Sequence, residues 1–437
     1  MKKYNILLIV ILSIFAASCQ KEDIKPINIS TNDEKARDAL WDLMEEWYYW
    51  YKELPQVTLS DYSDPAELMN ALRYRPLDRW SYVIDYDYFN SIQEGSFVGH
   101  GIRMGLDPSG DVRIVMIYKN SPLYEKGVRR GWIIKQINGT DLAPIFIAGD
   151  GEAYSNLLGP SQAGITNTFL FEIPDGRDST IASTKSAFQV NSVTYYDTLH
   201  LKSGLTGYLV FDEFIEPSSD ELSEAFAFFN ENNVEDLILD LRYNSGGLLD
   251  VALDLASYIG GSPLVNTAFV RMEHNDKKSP YNSTKYFKSL TNSLDLTKLV
   301  VITTRETASA SEEVINGLIP HIQVTTVGDT TNGKPTGMYA FTYSTMYYFL
   351  PITFKLTNSE YQGDFFDGFA PAKYVTDDIT HDWKDRNESC IREAIQYLET
   401  GNFSVKSSYL VQPSIPFTEK PGWMGNTIEV FKNSGNK

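Results

Sequence analysis

The chain is 437 residues long and carries 38 Lys and Arg against 57 Asp and Glu, a formal charge of −19. With 42% hydrophobic and 13% aromatic residues it is suited to packed domains, two or three at the usual ~150 residues each, and not to a disordered tail. So acidic a surface repels phosphate backbones and excludes a general nucleic-acid binder, while two cysteines, Cys19 and Cys390, allow at most one disulfide and no four-thiolate zinc site.

Lys2 and Lys3 precede an apolar run over residues 6–15, broken only by Ser13. The run is shorter than the ~20 residues that span a bilayer as a helix and fits a secretory signal. Ala16-Ala17-Ser18 then leads into Cys19. This resembles a bacterial lipobox, although Ala16 stands where Leu is usual. The resemblance implies removal of residues 1–18, acylation of Cys19, and residence as a cell-envelope lipoprotein of the outer membrane, on its periplasmic face or at the cell surface. Gln20-Lys21-Glu22-Asp23 resembles the charged tetrads that send some lipoproteins to the surface. Removing Lys2 and Lys3 moves the charge from −19 to −21, as expected of a body held at a membrane by lipid and not by charge. Cys390 is left as the remaining thiol and reads as a small buried apolar residue.

Residues 19–31 read as a lipid-anchored polar tether. A helix is predicted from Asn32, with Asp33 and Glu34 at the positive end of its dipole and an inward stripe of Ala36, Leu40, Leu43, Trp47 and Trp50. A second starts at Asp64-Pro65, turns Leu68 and Leu72 inward and ends before Pro76. The aromatics of the first helix imply packing or a homodimer contact, with a sugar- or peptide-binding platform as the alternative. These helices make a predicted N-terminal domain over 32–94.

From Gly95 to about residue 190 the texture is short β runs, 112–118, 132–137 and 168–173, separated by turns such as Asn138-Gly139. Ser121-Pro122-Leu123-Tyr124-Glu125-Lys126-Gly127-Val128, then Arg130-Gly131-Trp132-Ile133-Ile134, resembles a PDZ domain of the bacterial protease type. The matching carboxylate-binding loop is Gly99-His100-Gly101-Ile102, where glycines let successive N–H groups face one anion and a strand edge takes up an extended peptide.

Residues 191–400 alternate strands and helices, which implies an α/β core. Strands are predicted at 207–211, 237–241 and 299–303, and helices at 248–258 and 310–318. Ser218-Ser219-Asp220-Glu221 reads as a capping box ahead of Leu222, Ala225, Phe226 and Phe229. A C-terminal extension from about 401 holds strand-like patches at 408–411 and 427–431.

Two chemistries are set aside. Gly328-Asp329-Thr330-Thr331-Asn332-Gly333-Lys334 has phosphate-loop spacing, but Pro335 follows where Ser or Thr must hold magnesium, and proline removes an N–H. The five histidines show no metal-ligand spacing. No metal or organic cofactor is expected.

Three segments carry the chemistry. Asp240-Leu241-Arg242-Tyr243-Asn244-Ser245-Gly246-Gly247 leaves one buried strand, and Thr307-Ala308-Ser309-Ala310-Ser311-Glu312 leaves a second and enters a helix. Val327-Gly328-Asp329, then Gly333-Lys334, follows. With Asp367-Gly368-Phe369-Ala370-Pro371 downstream, they resemble the tail-specific, or carboxyl-terminal processing, serine peptidases of family S41, over about two-thirds of the chain. The fold implied is α/β and β multidomain: a helical N-terminal region, a PDZ-like β domain and a ClpP/crotonase-like α/β core. The resemblance makes Ser309 the nucleophile, Lys334 its base, and Ala310 with Gly246 or Gly247 the oxyanion donors. The partners implied are protein or peptide C-terminal segments. Ser309 at a helix start suits developing negative charge, and without a suitable histidine a neutral lysine can take the serine proton. Ser311, the rival serine, lies further into the helix. The family commonly has Gln four residues after the lysine; here it is Met338, which neither donates nor accepts comparably and leaves a non-catalytic peptide binder as the alternative.

Overall fold

The computed structural model describes residues 31–405. The leader, Cys19, most of the tether and the patches at 408–411 and 427–431 lie outside the described residues.

The first helix is Thr31–Trp47. Its buried stripe is Ala36, Leu40, Met44 and, just past its end, Tyr48, while Leu43, Trp47 and Trp50 are only partly buried. This corrects the predicted stripe, and the reason is polar. Tyr48 buries its ring while its hydroxyl donates to Asp78 Oδ2 at 2.7 Å, a partner no indole of this helix reaches. The second helix, Pro65–Leu72, starts as predicted: the Asp64 side chain accepts from the Ala66 and Glu67 N–H groups, and Leu68 and Leu72 are buried. The core these helices share is completed from far down the chain by Phe349 and Ile352. Strand Tyr82–Asp85 likewise pairs antiparallel with Tyr347–Leu350. Trp47 lies 5.0 Å from Tyr281, 5.8 Å from Tyr339 and 5.3 Å from Phe341, ring centre to ring centre, so the aromatic helix is used for packing.

A β unit follows. Its main sheet runs in the order Ile102–Leu106, Val112–Ile117, Ile133–Ile137, Thr166–Glu172, Asp178–Thr184, over a core that includes Ile114, Ile134, Phe169 and Phe171. Ser96–Gly99 pairs with Ser186–Gln189 and closes the unit where the chain enters and leaves.

The third region is organised by a sheet in the order Val193–Leu201, Gly204–Phe211, Asp236–Asp240, Lys298–Thr303, Gln323–Gly328, Lys373–Tyr374, parallel after its first antiparallel pair. Helices Ser218–Glu231, Leu249–Gly260 and Ala310–Leu318 contribute to the core on one face. On the other face Ser389–Thr400 buries Cys390, Ile391 and Ala394, so Cys390 is a free, buried apolar residue. Both faces of the central strands are therefore covered, as their unbroken apolar runs predict.

A second local prediction fails. Helix Ser218–Glu231 has Pro217 at its N-cap and no capping box. The Glu221 carboxylate instead accepts from Ser192 Oγ at 2.9 Å and the Val193 N–H at 2.7 Å, and Ser218 Oγ donates to the Glu213 carbonyl. Tertiary partners on the first strand of the sheet outcompete the helix's own N–H groups. Leu222, Ala225, Phe226 and Phe229 are buried as predicted.

Candidate active site

Asp236–Asp240, Lys298–Thr303 and Gln323–Gly328 are adjacent parallel strands, and each of the three chemistry-bearing segments leaves the carboxyl end of one of them. In an open α/β sheet this edge is where ligands bind. The spacing alone thus gathers Gly246–Gly247, Ser309 and Lys334 at one rim.

Ser309 caps the Ala310–Leu318 helix with φ 54° and ψ −116°, a conformation that costs a non-glycine residue of order 1–3 kcal/mol. The surrounding contacts hold it there. The Ser309 N–H donates to Glu312 Oε2 at 2.9 Å, and the Ala308 N–H donates to the Asn244 carbonyl at 3.1 Å. Ser311 is fully buried with its Oγ donating to the same Asn244 carbonyl, so it faces the protein and not the rim.

Glu312, fully buried, also accepts from Thr331 Oγ1 (2.6 Å), the Gly333 N–H (2.6 Å) and the Lys334 N–H (2.8 Å). With Ser309 that makes four donors, the acceptor capacity of an ionised carboxylate. Burial pushes Glu312 upward against these hydrogen bonds. Burial together with the charge of Glu312 pushes neighbouring Glu313 up to about 8, which leaves it a neutral acid at neutral pH. One side chain therefore ties the backbone of Ser309 to that of Lys334.

Lys334 is half-buried, and desolvation lowers its amine to about 8 against the pull of the Asp78 and Glu312 charges, which raise it. An amine at that value is about one-tenth neutral at pH 7 and half neutral at pH 8, and in its neutral form it is able to accept a proton.

The glycines fit this rim closely. A Cβ on Gly246 would sit 2.8 Å from Ser309 Cβ and 2.9 Å from the Ala308 carbonyl oxygen, and one on Gly247 would sit 2.1 Å from the Phe214 carbonyl oxygen. Their φ angles, 103° and 135°, also favour glycine. The Gly246 N–H is used by Asn244 Oδ1 at 2.9 Å, and Gly246 is buried, whereas Gly247 is exposed.

The chain matches the peptidase family S41 over residues 205–365 and the peptidase S41 N-terminal domain over residues 35–82. It is 25% identical over 313 residues to the carboxyl-terminal-processing protease of Synechocystis, covering 70% of this chain and 69% of that protein. Against the carboxy-terminal processing protease CtpB of Bacillus subtilis it is 25% identical over 250 residues, 57% of this chain and 49% of that one. The chain belongs to peptidase family S41. It is a serine-type peptidase by that membership. A solved structure of a putative S41 protease from Bacteroides fragilis has the same fold, with a TM-score of 0.69 at 21% identity over 83% of this chain and 97% of that one. The mixed α/β, multidomain architecture is thus that of S41 proteases.

Within this S41 frame the Gly99–Ile102 loop is not at the rim with Ser309; it connects two strands of the β unit. The His100 ring is buried, with Nδ1 2.9 Å from Ser183 Oγ and Nε2 2.7 Å from Asn167 Oδ1. Because Asn167 Nδ2 donates to the Leu157 carbonyl, its Oδ1 is the acceptor, and we assign the proton to His100 Nε2. Burial lowers this histidine to about 4. Depressed below its unfolded value near 6.5, it contributes stability that is fully present above pH 6.5 and lost as pH falls toward 4. Denaturant titrations should show the wild type losing up to about 3 kcal/mol more than His100→Gln over that window. Equal pH slopes for the two proteins would contradict the assignment.

Four residues in or beside the site carry roles that the motifs did not disclose. Glu312 and Asn244 lie inside the quoted motifs, and their Ser-x-x-Glu and Asn-x-Gly spacings are the signal that could have found them. Arg242, also in a motif, is buried and reaches Asp240 (2.7 Å), Asp377 (2.7 Å) and Glu388 (3.0 Å). Asp78 lies in the helical N-terminal region, and no spacing connects it to Lys334. Met338, half-buried, packs against the aromatic core of that region.

Proposed function

We propose that this chain hydrolyses peptide bonds through an acyl-enzyme, with Ser309 as nucleophile and Lys334 as general base. Ser309 Oγ attacks the scissile carbonyl carbon as its proton passes to the neutral Lys334 Nζ. The resulting ammonium returns that proton to the amine leaving group as the C–N bond breaks, and water deacylates the serine by the same route. The oxyanion is held by the Ala310 N–H and, because Asn244 already uses the Gly246 N–H, by that of Gly247. The observation that carries this reading is Glu312, whose carboxylate accepts from the backbone of Ser309 and of Lys334 together.

Client C-termini are the substrates we infer, from the carboxyl-terminal processing relatives. The β unit over 95–190 is a PDZ domain on this reading, and its Gly99–Ile102 loop captures the client carboxylate through backbone N–H groups, His100 being occupied within the unit. Two contacts support communication with the rim. Arg103 in the β unit pairs with Asp212 at 2.8 Å and Glu213 at 3.2 Å, next to the Phe214 that packs on Gly247. Arg130 reaches Tyr243, three residues before Gly246, at 3.0 Å. On the lipobox resemblance the protein acts as an outer-membrane lipoprotein anchored through Cys19.

Met338 favours one other reading, a peptide-binding lipoprotein that retains the fold without turnover. A fluorophosphonate distinguishes the two. We expect it to label the wild type at Ser309, located by peptide mass spectrometry. An unlabelled Ser309 in a protein that still binds C-terminal peptides would reject the catalytic reading.

A further inference from the structure

The loop that carries Lys334 is held from two sides. Glu312 supports it from the helix behind Ser309. From the other side, the Asp78-Arg79-Trp80-Ser81 turn of the N-terminal region bonds to it: Trp80 Nε1 donates to Asn332 Oδ1 at 3.2 Å, two residues before the lysine. Arg79 Nη2 donates to the Phe366 carbonyl at 3.1 Å, and that oxygen lies 2.3 Å from where a Cβ on Gly333 would fall. The Trp80 ring stacks on Phe366 with centres 6.5 Å apart. The turn is itself rigid, because Asp78 Oδ1 accepts from the Trp80 (3.0 Å) and Ser81 (2.9 Å) N–H groups while Oδ2 accepts from Tyr48.

Asp78 is fully buried, and among the described residues no lysine or arginine forms an ion pair with its carboxylate. The charges that face it are Arg73, with Arg75 beside it, and Lys334; those that face Lys334 are Asp78 and Glu312. Glu312 is filled by its four donors. Met338, four residues past the lysine, has its side chain in the apolar core. A buried negative charge fixed on a clamped turn is left to act on the Lys334 amine.

We propose that Asp78, supplied by the N-terminal region on a turn bonded to the Lys334 loop, is a positioning residue for Lys334, its negative charge stabilising the ammonium formed when the serine proton is transferred. The proposal rests on Lys334 being the base and gives the N-terminal region a place in the chemistry beyond packing. The role resembles that of a carboxylate behind a catalytic histidine, except that the carboxylate acts on a primary amine and comes from a different part of the chain.

The test is the pH dependence of kcat/KM for peptide hydrolysis by the full chain. Its acid limb reports the base in the free enzyme. Removing a negative charge that favours the protonated amine must lower the midpoint, so Asp78→Asn should move the limb to lower pH by roughly one unit. The plateau should fall on the order of tenfold, part of the 10²–10⁴ that a positioned base supplies. Tyr48→Phe is the second variant. It removes the donor to Asp78 Oδ2, leaves the carboxylate less neutralised, and should move the midpoint to higher pH. An unshifted midpoint in Asp78→Asn, however far activity or melting temperature falls, would overturn the proposal; if that variant does not fold, an unshifted midpoint in Tyr48→Phe would do so. Lys334→Ala separates the two claims, since wild-type rate and pH profile there would reject the base itself, whatever Asp78 does.

Discussion

Ser309→Ala and Lys334→Ala should each lower kcat for peptide hydrolysis on the order of 10⁴–10⁶-fold, and the double variant should be little worse than either single one. Groups that act as one unit are non-additive in this way, because losing either partner ends nucleophile activation. Neither change should unfold the protein. The Ser309 bond to Glu312 comes from its backbone N–H, which alanine keeps. Lys334 is an amine depressed to about 8 by desolvation, so its removal relieves a desolvated charge and should leave stability unchanged or raised. Steady-state kinetics with thermal denaturation checks both parts. Retained turnover with a lost melting transition would show these residues to be structural.

Arg242→Met carries the largest stability effect. The guanidinium makes hydrogen bonds to Asp240, Asp377 and Glu388, and the Trp383 ring lies 5.6 Å from it. Removing the cation leaves the buried Asp240 and Glu388 carboxylates without one and Asp377 with Arg130 alone, at 3.6 Å, with an expected loss of about 3–5 kcal/mol by chemical denaturation. Arg242→Lys should recover only part of this, because an ammonium cannot reproduce the planar fork that binds Asp240 through Nε and Nη2. A loss below about 1 kcal/mol in Arg242→Met would show that the network is solvated and carries little energy. Tyr243 follows directly and donates to Asp377 at 2.6 Å, so the segment leading to Gly246–Gly247 should loosen in the same variant.

What the sequence disclosed depended on how local each cause was. Ser309 and Lys334 were legible because each lies a short loop beyond a buried strand, and strand order alone brings those loops together. The Asp64 cap and the buried Cys390 were legible for similar reasons. The capping box at Ser218 misled because Glu221 has better partners on a neighbouring strand, Ser192 and Val193, which no helical pattern records. The stripe of the first helix is set by the hydroxyl of Tyr48 finding Asp78, a contact 30 residues away in sequence. The Asp78 turn lies against the Lys334 loop only because Phe349 and Ile352 draw the N-terminal helices onto the α/β core. Long-range charge of this kind leaves no periodic trace in a chain.

The central claim is that Lys334 activates Ser309, and the pH dependence of covalent labelling tests it most directly. The rate of fluorophosphonate attachment to Ser309 should rise with pH and reach half its maximum near 8, the value to which desolvation lowers the Lys334 amine, and this rise should vanish in Lys334→Ala. A rate independent of pH in the wild type, or a rise that persists in Lys334→Ala, would contradict it.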